Sequence, residues 1–115
     1  MQELAVLDYK ELLDRIGGED DFARELLTEF VGGLSGEVEG LKAVLDSANV
    51  EDIVLKAHTL KGSAANLSAK GLSEAAKVIE QAGRNNDLET ARGGFSRLAE
   101  EADKLKERFA AMDSE

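Results

Sequence analysis

A single histidine, His58, stands among the 115 residues, in the stretch Ile53 to Leu67, IVLKAHTLKGSAANL. A neutral imidazole is nucleophilic at one ring nitrogen while the other carries the proton. Held on a rigid helix and open to solvent, such a nitrogen can accept a phosphoryl group. Lys61 and Gly62 follow three and four residues later, so on a helix both neighbour the ring. Lys61 can neutralise charge on phosphoryl oxygens, a task that fixed cations perform well in phosphoryl transfer. Positioning the ring requires a further group that accepts the Nδ1 proton and leaves Nε2 free to attack. With one histidine and no cysteine, a metal site would have only carboxylates as further ligands, a poor set for a transition metal.

The spacing around His58 predicts a helix. Ile53, Ala57, Leu60, Ala64 and Leu67 form one narrow apolar stripe at 3.6 residues per turn. His58 lies about 140° round from Ile53, off that stripe. Val54 and Leu55, one turn earlier, lie on the histidine's side. A glycine inside a helix costs about 1 kcal/mol relative to alanine. At Gly62 the missing side chain uncovers the ring edge, which a purely structural histidine would not need.

The other elements must hold this helix. Residues Leu4 to Ile16 carry a short amphipathic pattern that Gly17-Gly18 interrupts; it predicts a short first helix from about Asp8 that caps one end of a bundle. A long helix follows from about Asp20 to Ser47, with Asp20 and Asp21 at its positive end. Its expected buried stripe is Phe22, Leu26, Phe30, Leu34, Val38, Leu41 and Leu45. Gly32, Gly36 and Gly40 recur on another side, as a weak outward face or as a surface for close approach. Asn49 suits a turn and cap before the His58 helix, expected over Val50 to Leu67. Ser68 suits the cap of the next helix, which ends near the turn residues Gly83 to Asn86 and buries Leu72, Ala75, Ala76, Ile79, Ala82 and Gly83. Asn86 or Asp87 opens the last helix, where Leu88, Ala91, Phe95, Leu98, Ala102, Leu105, Phe109 and Met112 keep the 3-4 spacing of a bundle seam. Long helices joined by short turns predict an all-α, antiparallel up-down-up-down four-helix bundle with an additional short N-terminal helix. Residues 1–115 are read as one domain.

Composition narrows the function classes. Hydrophobic residues make up 43% and charged residues 33%, with no proline, which suits a folded helical protein and not a loop-rich β fold. A net charge of −10 argues against nucleic acid and anionic membrane surfaces as partners. No run approaches a membrane span, and the N-terminus lacks a basic-then-apolar signal, so a cytoplasmic location is expected. No phosphate-cradling Gly-x-x-x-x-Gly-Lys pattern and no kinase signature occurs, so the chain is not expected to phosphorylate itself from ATP.

The stretch His58 to Leu67, HTLKGSAANL, resembles the His-x-x-Lys-Gly-Ser signature of histidine-containing phosphotransfer (HPt) domains. Residues Gly17 to Phe30, GGEDDFARELLTEF, resemble the opening of that family's second helix, and Leu72 to Arg84, LSEAAKVIEQAGR, the helix that faces the histidine. The resemblance implies that His58 is phosphorylated at Nε2, that Lys61 assists the phosphoryl group, and that Gly62 keeps the ring accessible. Ser63 matches the signature in a supporting or packing role. Glu80 stands where relatives carry Glu or Gln that bonds the imidazole, and so becomes the expected Nδ1 acceptor. Ser68 departs from the family, where glycine is common.

The resemblance further implies a phosphoryl carrier and not an enzyme. It would relay the group between aspartates of response-regulator receiver domains in a two-component phosphorelay that starts at a hybrid sensor kinase. The chain itself needs no cofactor, the Mg²⁺ being expected on the receiver. Val54, Leu55 and Ala65 are expected in the docking surface of a monomer, and the Met1 start suggests a stand-alone protein. Two readings of other classes compete: an adaptor bundle that docks receivers without carrying phosphate, and a phosphatase or kinase dimerisation bundle, which would need a self-associating seam.

Overall fold

The computed structural model describes residues 4–113. Among them six helices follow in order: α1 (Tyr9–Arg15), α2 (Asp20–Ser47), α3 (Val50–Asn66), α4 (Lys70–Arg84), α5 (Leu88–Gly93) and α6 (Phe95–Asp113). The starts of α1, α3 and α5 are set by side chains that satisfy otherwise orphaned backbone N–H groups. Asp8 accepts from the Glu11 amide, Asn49 from Asp52 and Asp87 from Thr90. Gly17 and Gly18 both adopt φ of +84°, a conformation open to glycine, and turn the chain from α1 into α2.

α2, α3, α4 and α6 form the antiparallel bundle. α3 packs against α2 and α4, and α6 closes the ring by packing against the same two helices. The α3 stripe read from sequence is buried throughout: Ile53, Ala57, Leu60, Ala64 and Leu67. So is the α4 face, from Leu72 to Gly83. Such full burial contributes about 1.5–3 kcal/mol for each large aliphatic side chain. α1 caps the end where α3 turns into α4. The Asp8 amide donates to the Ser68 carbonyl, the Gly71 amide to the Ala5 carbonyl, and Arg15 to the Ala65 carbonyl.

Three expectations need correction. The α2 stripe is out of phase at its N-terminal end: Phe22 is 47% exposed, and Ala23 and Leu27 take the buried positions. Steps of four residues advance about 400°, so each repeat drifts about 40° around the axis. From Leu34 back to Phe22 that drift carries the ring out of the core. Ser68 does not cap α4; Ala69 occupies the N-cap without a side-chain bond. Ser68 is buried instead in the left-handed region, φ 59°, with Oγ donating to Glu11. Glycine adopts that backbone conformation without the steric cost a Cβ carries there. Finally, the last helix is divided. α5 ends at Gly93, and at Gly94 an added Cβ would lie 3.0 Å from Ile79 Cγ1 on α4. The interruption falls where the backbone lies close against α4.

Among the described residues no tight packing calls for the glycine series on α2. A Cβ at Gly32 or Gly36 would meet nothing within 4 Å, and one at Gly40 would meet only the Lys56 side chain, at 3.5 Å. Among the described residues no helix is long and apolar enough to cross a membrane.

Candidate functional site

His58 sits midway along α3 on the flank opposite the core, its side chain 58% exposed. Behind it runs the seam between α3 and α4. There Gly83 brings the two backbones together: a Cβ on it would fall 2.9 Å from Val54 Cγ2 and 3.3 Å from Ile53 Cγ2. This close approach lets a side chain one turn earlier on α4 reach the imidazole. Glu80 is that side chain. It is buried, yet its Oε2 lies 3.0 Å from His58 Nδ1.

Glu80 gathers every charge in the site. Lys61 Nζ stands 2.7 Å from Oε1. Arg84 donates to Oε2 through both Nε, at 3.0 Å, and Nη2, at 2.7 Å. Burial by itself would raise the pKa of the carboxyl, since a low-dielectric setting disfavours its charged form. The bonds from Lys61, Arg84 and His58 outweigh that effect and pull it down to about 2. Glu80 is therefore a carboxylate at any physiological pH, and an ionised carboxylate only accepts hydrogen bonds. The proton of the Glu80–His58 bond must then sit on Nδ1. That fixes the neutral tautomer with the lone pair on Nε2, the nitrogen on the far edge of the ring.

Gly62 lies one turn beyond His58. A Cβ there would meet nothing within 4 Å, so no packing inside the chain calls for glycine. Leu55, one turn before, is 63% exposed, and Ala65 is exposed while Val54 is half-buried. The ring thus rises from a bare, partly apolar surface. Ser63 does not reach it. It lines a shallow groove between α2 and α3 with Phe30, Gly33, Thr59 and Leu60. The Lys61 backbone is tied to α4 by Ser73, whose Oγ donates to the Lys61 carbonyl at 3.0 Å.

Of the residues singled out from sequence, His58, Lys61 and Glu80 converge, Gly62 borders them, and Ser63 stands apart. Arg84 was not among them. It falls in the turn cluster Gly83 to Asn86, where its charge reads as an ordinary helix-end cation. The Glu80–Arg84 spacing of four residues was the available signal.

Comparison with known proteins bears on the family and the fold. The Hpt domain family matches residues 25–108. The chain is 24% identical over 98 residues, 85% of its length, to the phosphorelay intermediate protein rdeA of Dictyostelium discoideum, and spans 39% of that relative's length. The fold superposes on the crystal structure of histidine-containing phosphotransfer protein B from Pseudomonas aeruginosa PAO1 with a TM-score of 0.86, at 23% identity and 96% coverage of both chains. It likewise matches the HPT domain of a sensor hybrid histidine kinase from Shewanella, with a TM-score of 0.82, 18% identity, and 95% and 94% coverage.

Proposed function

Given that the chain belongs to the Hpt domain family, we propose that it carries a phosphoryl group on His58 Nε2 between aspartates of receiver domains. The observation that carries this reading is the 3.0 Å bond from Nδ1 to a buried carboxylate beneath a ring that is itself 58% exposed. In the forward step the Nε2 lone pair attacks the phosphorus of an aspartyl phosphate. The N–P bond forms, the P–O bond to the aspartate breaks, and the aspartate leaves as a carboxylate. Positive charge develops over the imidazole as its lone pair is used. The Glu80 carboxylate, already in place and already ionised, stabilises that charge through Nδ1–H without reorganising. A second receiver's aspartate reverses the sequence.

Lys61 is the cation nearest the reacting edge on α3. Paired with Glu80 in the resting protein, it can turn its flexible ammonium toward phosphoryl oxygens when they arrive. Gly62 and Leu55 belong to the docking face. Ser63 supports that face from the groove with α2. The Mg²⁺ that phosphoryl transfer requires belongs to the receiver. The protein acts as a carrier without ATP-dependent activity of its own, as a cytoplasmic monomer, and its partners are response-regulator receivers and a hybrid sensor kinase.

Incubation with a ³²P-labelled phosphorylated receiver tests the reading. Acid-labile label should move to the wild-type chain and not to His58→Gln, while the variant keeps wild-type helicity and melting because the ring lies off the core. Absence of label on the wild-type chain across a set of receivers would favour an adaptor. Unfolding of the variant would make His58 structural.

A further inference from the structure

We infer that Arg84 is a positioning residue for phosphoryl transfer, acting through Glu80 to hold His58 in its reactive tautomer; the role in transfer rests on the phosphoryl-carrier reading. Glu80 is the only group within the site whose position decides what Nδ1 does. Its terminal carboxylate torsion is intrinsically broad, so something must set the plane of its oxygens. Lys61 cannot. Its ammonium, 2.7 Å from Oε1, is a point charge with rotating donors and fixes a distance but no plane. Arg84 places Nε and Nη2 at 3.0 and 2.7 Å from Oε2, the same oxygen that receives the His58 Nδ1 bond. A planar guanidinium with two donors on one oxygen holds that oxygen in direction as well as distance.

The backbone beneath Arg84 is equally constrained. It is the last residue of α4, where a helix end would ordinarily fray. Here the turn is tied: the Asn85 amide donates to the Gln81 carbonyl, Asn86 to Gly83, and Asp87 to Ala82. Gly83, the residue before, is wedged against Ile53 and Val54 of α3. Glu80 and Arg84 are thereby registered on one helix, one turn apart, with the acid N-terminal to the base, the better order for such a pair.

Arg84 also offsets the burial of Glu80, which is 5% exposed against 57% for the arginine, so loss of stability alone does not reveal its role in orientation; the tautomer of the ring does. Removing the fork leaves Oε2 free to turn toward Lys61 and away from Nδ1. The ring then samples both neutral tautomers, and in the wrong one Nε2 carries the proton and cannot attack.

The single histidine makes this directly measurable. On ¹⁵N-labelled protein at about pH 8, above the ordinary imidazole range, the two ring-nitrogen shifts report the tautomer ratio. Wild type should show one tautomer, protonated at Nδ1. Arg84→Met should show a mixture, with wild-type helicity. Phosphorylation by phosphoramidate, which yields ammonia as its P–N bond breaks, should slow about tenfold, as when other groups that orient a histidine through its second nitrogen are lost. Arg84→Lys, with a single donor head, should fall between the two. A wild-type tautomer pattern and rate in Arg84→Met would overturn the inference; should that variant not fold, the same result in Arg84→Lys would do so. If wild type accepts no phosphoryl group from any donor, the carrier reading fails, while the tautomer ratio still decides whether Arg84 orients the ring.

Discussion

Gly62 and Gly83 are both glycines within helices, and they face opposite situations. A Cβ at Gly62 would enter open space beside His58. A Cβ at Gly83 would strike Val54 and Ile53 across the α3–α4 seam. Each costs its helix about 1 kcal/mol in propensity. At Gly83 the return is structural: two backbones approach closely enough for Glu80 to reach through to His58. At Gly62 none of the described residues packs into the space the missing side chain leaves. The difference separates a seam built for packing from a front that this chain leaves bare.

Glu80 joins the two regions, and changing it should have the largest effect on stability. Its carboxyl is held at about 2, below the ordinary 4.5. A group whose pKa falls on folding stabilises the native state above its unfolded pKa, and that contribution is lost as pH drops through the interval down to the folded pKa. Wild type should therefore lose up to about 3 kcal/mol between pH 4.5 and 2 from this group. Glu80→Gln should lose that part of the acid dependence, measured by urea unfolding at stepped pH. Parallel curves for the two proteins would detach Glu80 from the seam.

Gly83→Ala should come next. Overpacking of a close seam costs about 1–3 kcal/mol, partly offset by the better helix propensity of alanine. Thermal unfolding should show a lower melting temperature, and Nδ1 should lose its partner as the helices part. An unchanged melting temperature would mean the seam yields easily and Gly83 is not its spacer.

Gly62→Ala should have the smallest effect on stability and the opposite sign, a gain of about 1 kcal/mol. Transfer from a phosphorylated receiver should slow, while acceptance from phosphoramidate, a donor of a few atoms, should not. Equal slowing with both donors would place the effect on the ring itself and not on access for a protein.

Much of this was legible in the sequence because the informative residues are local. His58, Lys61 and Gly62 lie within one turn, and the α3 stripe is short enough that a drifting count does no harm. The long α2 exposed the limit: over 28 residues the four-residue repeat slid Phe22 out of the core. Ser68 was misread, and the break at Gly94 missed, because what fixes both is tertiary. A part-buried bond to Glu11 on α1 holds Ser68, and the interruption at Gly94 falls where the backbone lies close to Ile79 on α4. Arg84 was passed over for a related reason. Its importance lies in which oxygen it grips, and only the fold specifies that.

The most direct measurement is the attachment site of the phosphoryl group. In ¹⁵N-labelled protein phosphorylated by a receiver, the ³¹P–¹⁵N couplings of His58 identify the ring nitrogen bonded to phosphorus. Attachment at Nε2, with Nδ1 still directed at Glu80, is the predicted result. Phosphorus on Nδ1 would mean that the Glu80 bond does not govern the reacting edge, and would contradict the mechanism at its base.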